Sequence, residues 1–512
     1  MPIPTGLGDS RRVVPSPRDG TRVVMAASEL APYVKVGGLG EAVAALSRAL
    51  TGLDCDVTAI LPGYRAVFEG PWDLERQSLP SFTVPVGEQH RRVSLWRLHA
   101  SDLPFRVLVL EDAPGFDRTG VYTDPATGEG FPDDAERFAV FSRAVIETLQ
   151  RIDLVPDVLH IHDYPTALVP RWMREAGART AFFENTATVL TLHNVAFQGL
   201  ASDALLDRLG LGREDFHPGG PLEFWGRVNL LKAGALDADA LVAVSGRYAA
   251  EIRSGPEFGF GLEGVFASRA DALTGIRNGI DTAVWNPAAD PHLAQTYTAA
   301  TLGEKRRNKE ALCRRTGLAD SSAPLLGMIT RLADQKGIDI LRAAASRLLE
   351  RRVSLVVLGS GKPEYESFLA ALAHDHPGRV HHDRSFNESL AHAIQGGADF
   401  LLVPSRYEPC GLTQMVALRY GTLPIVRRTG GLAETVVDVD AEPDRGTGIV
   451  FDAYTAGALL DAVDRALAVA ADPVRDAEAR RRAMAADVSW APAARAYADL
   501  YRRLLRQRPA AS

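Results

Sequence analysis

The chain has 512 residues, 46% of them hydrophobic and 24% charged, with a formal net charge of -7. That balance excludes disordered and fibrous classes and argues against a nucleic-acid surface, which needs basic charge to displace counterions. Two domains are expected at this length rather than one core, and three widely spaced cysteines, Cys55, Cys313 and Cys410, give neither a disulfide framework nor a metal pattern and point to a reducing compartment.

Residues 1–20 are polar, with Asp9, Arg11, Arg12, Arg18 and Asp19 and no apolar stretch, so they read as a flexible extension rather than a secretory leader. No run reaches the length of a membrane span, and a cytoplasmic location is expected. Strands are expected at 22–25, 57–61, 106–110, 158–161, 189–192 and 240–244, and again at 325–329, 354–358, 400–403, 423–426 and 448–451. They alternate with amphipathic helical stretches, the pattern of α/β domains with parallel sheets and crossover helices. Asn278-Gly279-Ile280-Asp281 and Trp285-Asn286-Pro287 form a turn-rich connection. The expected division is therefore 21–270, then 271–487, with a surplus helix in 488–512 returning to the first domain. Lysine is scarce, six residues against a large excess of arginine, which draws attention to the positions that keep it.

Four clusters stand where a strand gives way to a helix, the place where open α/β sheets bind ligands. Lys35-Val36-Gly37-Gly38-Leu39-Gly40 follows the first strand and precedes a helix over 41–50; bare N–H groups and one ammonium there suit an anion, although a glycine pair alone more often marks a tight turn. The spacing is neither Walker nor G-x-G-x-x-G. Next, His160-Ile161-His162-Asp163-Tyr164 and His193-Asn194 end two successive strands, with Asp163 and His193 the candidates for one crevice. A zinc site is a poor reading, because His160 and His162 are expected on opposite faces of the strand and no cysteine lies near. The third cluster, Thr330-Arg331-Leu332-Ala333-Asp334-Gln335-Lys336-Gly337, brings a guanidinium fork and an ammonium to one strand end, which suits a diphosphate. In the fourth, Pro404-Ser405-Arg406-Tyr407-Glu408-Pro409-Cys410-Gly411-Leu412-Thr413-Gln414 places one carboxylate, Glu408, after an apolar run, and Arg428-Thr429-Gly430-Gly431 opens another helix.

Together these residues resemble the bacterial glycogen synthase and plant starch synthase family, retaining glucosyltransferases that extend an α-1,4-glucan from a nucleotide glucose. Ala27-Ser28-Glu29, Asn194-Val195-Ala196-Phe197-Gln198-Gly199, Leu231-Lys232-Ala233-Gly234, Gly261-Leu262-Glu263-Gly264 and Gly396-Gly397-Ala398-Asp399 extend the resemblance over nearly the whole chain. It implies a GT-B type fold, two Rossmann-like doubly wound domains facing across a cleft. Implied catalytic residues are Lys35, Asp163, His193, Arg331, Lys336 and Glu408. Asp163 and His193 hold the donor glucose, Arg331 and Lys336 neutralise the diphosphate, and Glu408 binds glucose hydroxyls. Lys35, Gly37, Gly38, Phe386, Thr413, Gly430 and Gly431 complete the donor site, the last two through their N–H groups. Expected substrates are ADP-glucose and an α-1,4-glucan such as glycogen or a maltooligosaccharide; no metal, cofactor, nucleic acid or membrane is expected. The sequence departs from the family at Glu41, usually Asp, at Val36, often Thr, at Ser245-Gly246-Arg247, usually Ser-Pro-Thr, and at Phe386, usually Tyr, while 182–187 reads as an insertion.

The implied chemistry is glucosyl transfer with retention, with positive charge growing on the sugar and negative charge on the departing diphosphate. The rivals are another retaining transferase of the same fold and a catalytically silent glucan-binding protein. Many transferases with other donors carry a second glutamate eight positions after the first; Val416 stands there.

Overall fold

The computed structural model describes residues 20–508 apart from 78, 100–102, 175–180 and 386. The chain divides into two compact units, unit 1 comprising Met1–Val242, Ile252–Thr274 and Ala493–Ser512, and unit 2 comprising Ala243–Glu251 and Gly275–Pro492. The main division thus falls four residues beyond the expected 270/271, and the short segment Ala243–Glu251 counts with unit 2. The return to unit 1 begins at Ala493 rather than 488, because the Ile280 N–H donates to the Val488 carbonyl at 2.8 Å and Ile280 bridges Ser489. That pairing keeps the chain before Ala493 stitched to unit 2. Of the expected extension, residues 1–19 lie outside the described residues.

Unit 1 carries β1 (Thr21–Ala26), β2 (Cys55–Pro62), β3 (Asp73–Arg76), β4 (Phe82–Val86), β5 (Gln89–His99), β6 (Arg106–Glu111), β7 (Val158–His162), β8 (Ala187–Leu192), the short β9 (Leu200–Ala201), β10 (Glu223–Phe224) and β11 (Arg227–Asn229), then β12 (Ala240–Ala243) and β13 (Leu273–Gly275). Ten of the described strands form one sheet in the order β13-β12-β8-β7-β1-β2-β6-β5-β3, with β4 on β5. β1 lies parallel to both β2 and β7, and β7 parallel to β8. Parallel sheets are covered by helices on both faces and so are buried throughout; every residue of β7 and β8 is buried, the histidines and threonines included. The antiparallel edge, β3, β4 and β5 beside β6, is absent from the sequence reading. Its strands, such as Gln89–His99 with the sequence QHRRVSLWRLH, alternate polar and apolar residues and lack the continuous runs that marked the others.

Unit 2 carries β14 (Leu325–Ile329), β15 (Ser354–Leu358), β16 (Val380–Asp383), β17 (Phe400–Val403), β18 (Leu423–Arg427) and β19 (Ile449–Phe451), all parallel, in the order β16-β15-β14-β17-β18-β19. This is a doubly wound Rossmann-like order, turning back at its first strand. Only β16, Val-His-His-Asp, was unpredicted in this sheet, and it is an edge strand with one fully buried residue. Leu325, Val356, Leu401, Val426 and Val450 pack with Leu312 and Ile394 from helices Lys305–Thr316 and Glu388–Gly397 into one core.

The last helix, Ala491–Arg506, buries Tyr497 and Tyr501. Their hydroxyls reach β8 and β7 of unit 1, with Tyr497 3.2 Å from Thr191 Oγ1 and Tyr501 2.7 Å from His160 Nδ1. Among the described residues no helix is long and apolar enough to cross a membrane.

Candidate active site

In unit 1 the strand order turns back between β1 and β7, and in unit 2 between β14 and β17. Loops leaving the carboxyl ends at such a point diverge and leave room for a ligand within each sheet. The expected site residues stand on these loops and on those of the next strands.

After β1, the helix Gly38–Thr51 starts from Gly37. The loop before it is held from below by Glu29, whose carboxylate accepts from the N–H groups of Val36 at 2.7 Å and Gly37 at 3.1 Å. The Tyr122 hydroxyl donates to the other Glu29 oxygen at 2.8 Å and lies 2.7 Å from Ser28 Oγ. The Gly37 N–H is therefore not bare as the sequence implied. A Cβ on Gly37 would meet nothing within 4 Å, whereas one on Gly40 would lie 2.9 Å from the Val34 carbonyl, so it is the third glycine that close packing demands. Lys35 extends its ammonium to Glu41, 2.5 Å away.

At the end of β7, Asp163 takes a positive φ of 53°. Its Oδ1 accepts from the backbone N–H of His193 at 2.7 Å and of Asn194 at 3.4 Å, so the two predicted residues do meet, through main chain on one side. Burial pushes this carboxyl up to about 7, against the pull of those two N–H groups. The expectation that His160 and His162 lie on opposite faces fails: residues two apart in a strand share a face, and their rings stack at 4.3 Å. His162 Nδ1 lies 3.0 Å from His193 Nε2. Burial depresses His160 and His193 to about 3 and His162 likewise well below the usual imidazole range, so all three are neutral at physiological pH. Among the described residues no group of His, Cys, Asp or Glu is arranged to hold a metal ion.

In unit 2, Lys336 closes the turn Asp334–Lys336 after β14. Gly337 follows with φ 76°, and a Cβ there would fall 2.1 Å from the Pro404 carbonyl, so glycine is what lets the turn lie against the Glu408 loop. The Lys336 ammonium donates to both Glu408 oxygens, at 2.9 and 2.7 Å, and the Ser405 hydroxyl adds a bond of 2.8 Å. The two residues assigned separately to diphosphate and sugar thus neutralise each other here. Arg331 is exposed and makes no side-chain hydrogen bond or ion pair among the described residues.

Gly430, with φ 42°, and Gly431 open the helix Gly430–Thr435, and Cβ atoms on them would collide with the Glu408 and Cys410 carbonyls at 1.9 and 2.0 Å. Their N–H groups are not open as expected. Gly430 donates to the Glu251 carboxylate at 3.0 and 3.1 Å, and Gly431 to the Glu408 carbonyl at 3.1 Å. Thr413 begins the helix Thr413–Arg419 and is half-buried, and Phe386 lies outside the described residues.

Sequence reasoning missed Glu29, Tyr122, Glu251 and His162. Glu29 stood in a matching stretch with no role given, and the Tyr122 and Glu251 contacts join residues 93 and 179 positions apart, for which no local pattern exists. The strand period alone could have found the His162 stack.

Two family models match the chain, "Starch synthase catalytic domain" over residues 22–268 and "Glycosyl transferases group 1" over residues 312–483. Glycogen synthase 2 of Geobacter sulfurreducens is 42% identical over 483 residues, covering 94% of this chain and 98% of that protein. Glycogen synthase of Halorhodospira halophila is 42% identical over 489 residues, covering 95% of this chain and all of the other at 100%. The catalytic domain of starch synthase IV from Arabidopsis thaliana, solved bound to ADP and acarbose, superposes with a TM-score of 0.88 at 32% identity over 95% of this chain and 100% of that one.

Proposed function

The chain belongs to the glycogen synthase and starch synthase family of glucosyltransferases, with the GT-B type fold of two Rossmann-like units, and on that premise we propose how its own residues carry the transfer of glucose from ADP-glucose to the non-reducing end of an α-1,4-glucan. The observation that carries the reading is the cation placement in unit 2. Arg331, at the end of β14, offers a guanidinium that is unpaired among the described residues, and Lys336 spends two of its three N–H donors on Glu408, leaving one for a phosphate oxygen.

As the bond between glucose and diphosphate breaks with retention, Arg331 and Lys336 are the cations assigned to the charge gathering on the diphosphate. Glu408, its charge balanced by Lys336, accepts from glucose hydroxyls. In unit 1, Asp163 and His193 are the residues assigned to the donor glucose, with Asp163 tied to the His193 backbone N–H. Lys35, Gly37 and Gly38 in unit 1 and Thr413, Gly430 and Gly431 in unit 2 are the further residues assigned to donor contacts, and Gly430 and Gly431 are glycine because a Cβ on either would collide with the Glu408 or Cys410 carbonyl. The transfer needs no metal in this reading, the glucan is glycogen or a maltooligosaccharide, and the enzyme acts in the cytoplasm.

The test is product formation from ADP-glucose and glycogen beside UDP-glucose, with and without EDTA. Transfer from ADP-glucose that is unaffected by chelator is expected. No elongation with either donor would overturn the reading, and activity abolished by EDTA would overturn its metal-free part.

A further inference from the structure

The three histidines at the ends of β7 and β8 form a chain whose protons can be placed by elimination. His160 is fixed at both ring nitrogens, Nδ1 2.7 Å from the Tyr501 hydroxyl and Nε2 2.7 Å from Thr191 Oγ1. His162 stacks on it, its ring 27° from parallel, and is 1% exposed. On its outer side, His162 Nδ1 meets His193 Nε2 at 3.0 Å. Its own Nε2 is buried and has no hydrogen-bond partner among the described residues.

A hydrogen bond between two neutral imidazoles needs one N–H and one lone pair, and each ring has a single proton to place. If His193 donated from Nε2, the His162 proton would have to sit on its Nε2, an N–H sealed from water without an acceptor. Orphaned buried N–H groups are rare, and an unmatched lone pair is the lesser penalty. The other arrangement leaves only a lone pair unmatched: His162 carries its proton on Nδ1 and donates to His193 Nε2, and His193 then carries its proton on Nδ1. That nitrogen has no hydrogen-bond partner among the described residues and is not among the sealed, unpartnered atoms.

We propose that His162 is a positioning residue that fixes His193 as its Nδ1–H tautomer, so that His193 presents a hydrogen-bond donor to the sugar. The consequence for binding rests on the reading that Asp163 and His193 hold the donor glucose. A sugar hydroxyl both donates and accepts. A carboxylate oxygen and an imidazole N–H on adjoining strand ends match it in both roles, whereas the opposite tautomer would set a second acceptor beside the carboxylate.

The experiment is a long-range proton–nitrogen spectrum of the full chain labelled with 15N-histidine, in which protonated and bare ring nitrogens differ in shift, with His193 assigned by loss of its signals in His193→Gln. The expected spectrum shows His193 protonated at Nδ1 and bare at Nε2; protonation at Nε2 would overturn the proposal. This result does not depend on what the enzyme transfers. Two variants then connect tautomer to function. His162→Asn can put an amide N–H where Nδ1 stands, and His162→Phe keeps a ring on His160 without a donor. In folded protein, kcat/KM for the sugar donor should fall at least tenfold in His162→Phe. In His162→Asn it should stay within about threefold of the parent if His193 remains protonated at Nδ1, and fall as in His162→Phe if the amide turns and the His193 proton moves to Nε2. Equal loss in both variants with the Nδ1 tautomer intact in His162→Asn would show that His162 merely fills space. Absence of glucosyl transfer in the parent chain would remove the substrate reading while leaving the tautomer assignment to stand or fall on the spectrum.

Discussion

Replacing Lys336 by alanine tests whether the ion pair with Glu408 is a real feature of the free enzyme. The Glu408 side chain is 8% exposed and that of Lys336 18%, so the substitution leaves a nearly buried carboxylate with one hydroxyl partner and no cation. Removing one member of a buried pair costs about 3–5 kcal/mol. Because Lys336 itself keeps some contact with water, the lower end, about 3 kcal/mol, is expected. For a unit of this size that corresponds to a fall of about 6–12 °C in the unfolding of unit 2, read by calorimetry without nucleotide. Glu408→Gln alone removes the charge and keeps a hydrogen-bonding side chain. The double variant Lys336→Ala/Glu408→Gln should therefore be less destabilised than the sum of the two, by about 2 kcal/mol, as contacting residues couple. Turnover of Lys336→Ala should also fall by about a hundredfold, because a preorganised charge on the leaving group is lost. If Lys336→Ala melts like the parent and the two changes add, the pair does not hold Glu408 in solution. A loss of turnover without that coupling would mean that the ammonium serves the diphosphate alone.

Activity should rise with pH through about 7 as Asp163 ionises, since its carboxylate is the form that accepts from a sugar hydroxyl, and Asp163→Asn should flatten that limb; a limb unchanged in the variant would assign it elsewhere. The same shift has a sign for stability. The folded carboxyl is raised from 3.8 to about 7, so its contribution is full below the lower value and is lost as pH rises toward the upper one, a drift that calorimetry should find missing in Asp163→Asn. Lys305 is buried, its ammonium on the carbonyls of Gln395 and Gly396 at 3.2 and 2.8 Å and on Thr422 Oγ1 at 2.6 Å. Lys305→Ala removes the donor to the buried Gly396 carbonyl and to Thr422 Oγ1, while Gln395 keeps its bond from the Thr422 hydroxyl, and should cost about 3 kcal/mol; an unchanged melting curve would count against the network. Burial pushes the Cys55 thiol up to about 11 and the Cys410 thiol to about 12, and Cys313 is buried as well. Ellman's reagent should therefore find no fast-reacting thiol in the native chain and all three after denaturation.

The sequence by itself determined the α/β class, most strands of both sheets and the positions of Asp163, His193, Arg331, Lys336 and Glu408 at strand ends, because continuous apolar runs and the glycines after them are local signals. It could not reveal the antiparallel edge β3 to β5, whose half-polar strands gain their meaning from pairing. Nor could it show that Lys336 and Glu408, 72 residues apart, neutralise each other, or that Glu29 and Glu251 occupy N–H groups that read as bare. Those facts depend on which loops the strand order brings together, and a carboxylate carries no mark in sequence of the distant amide it will accept from. The same holds for His162: its place in the strand fixed the face it lies on, but only the fold gave one ring nitrogen a partner and left the other without one, and that difference sets the proton on His193.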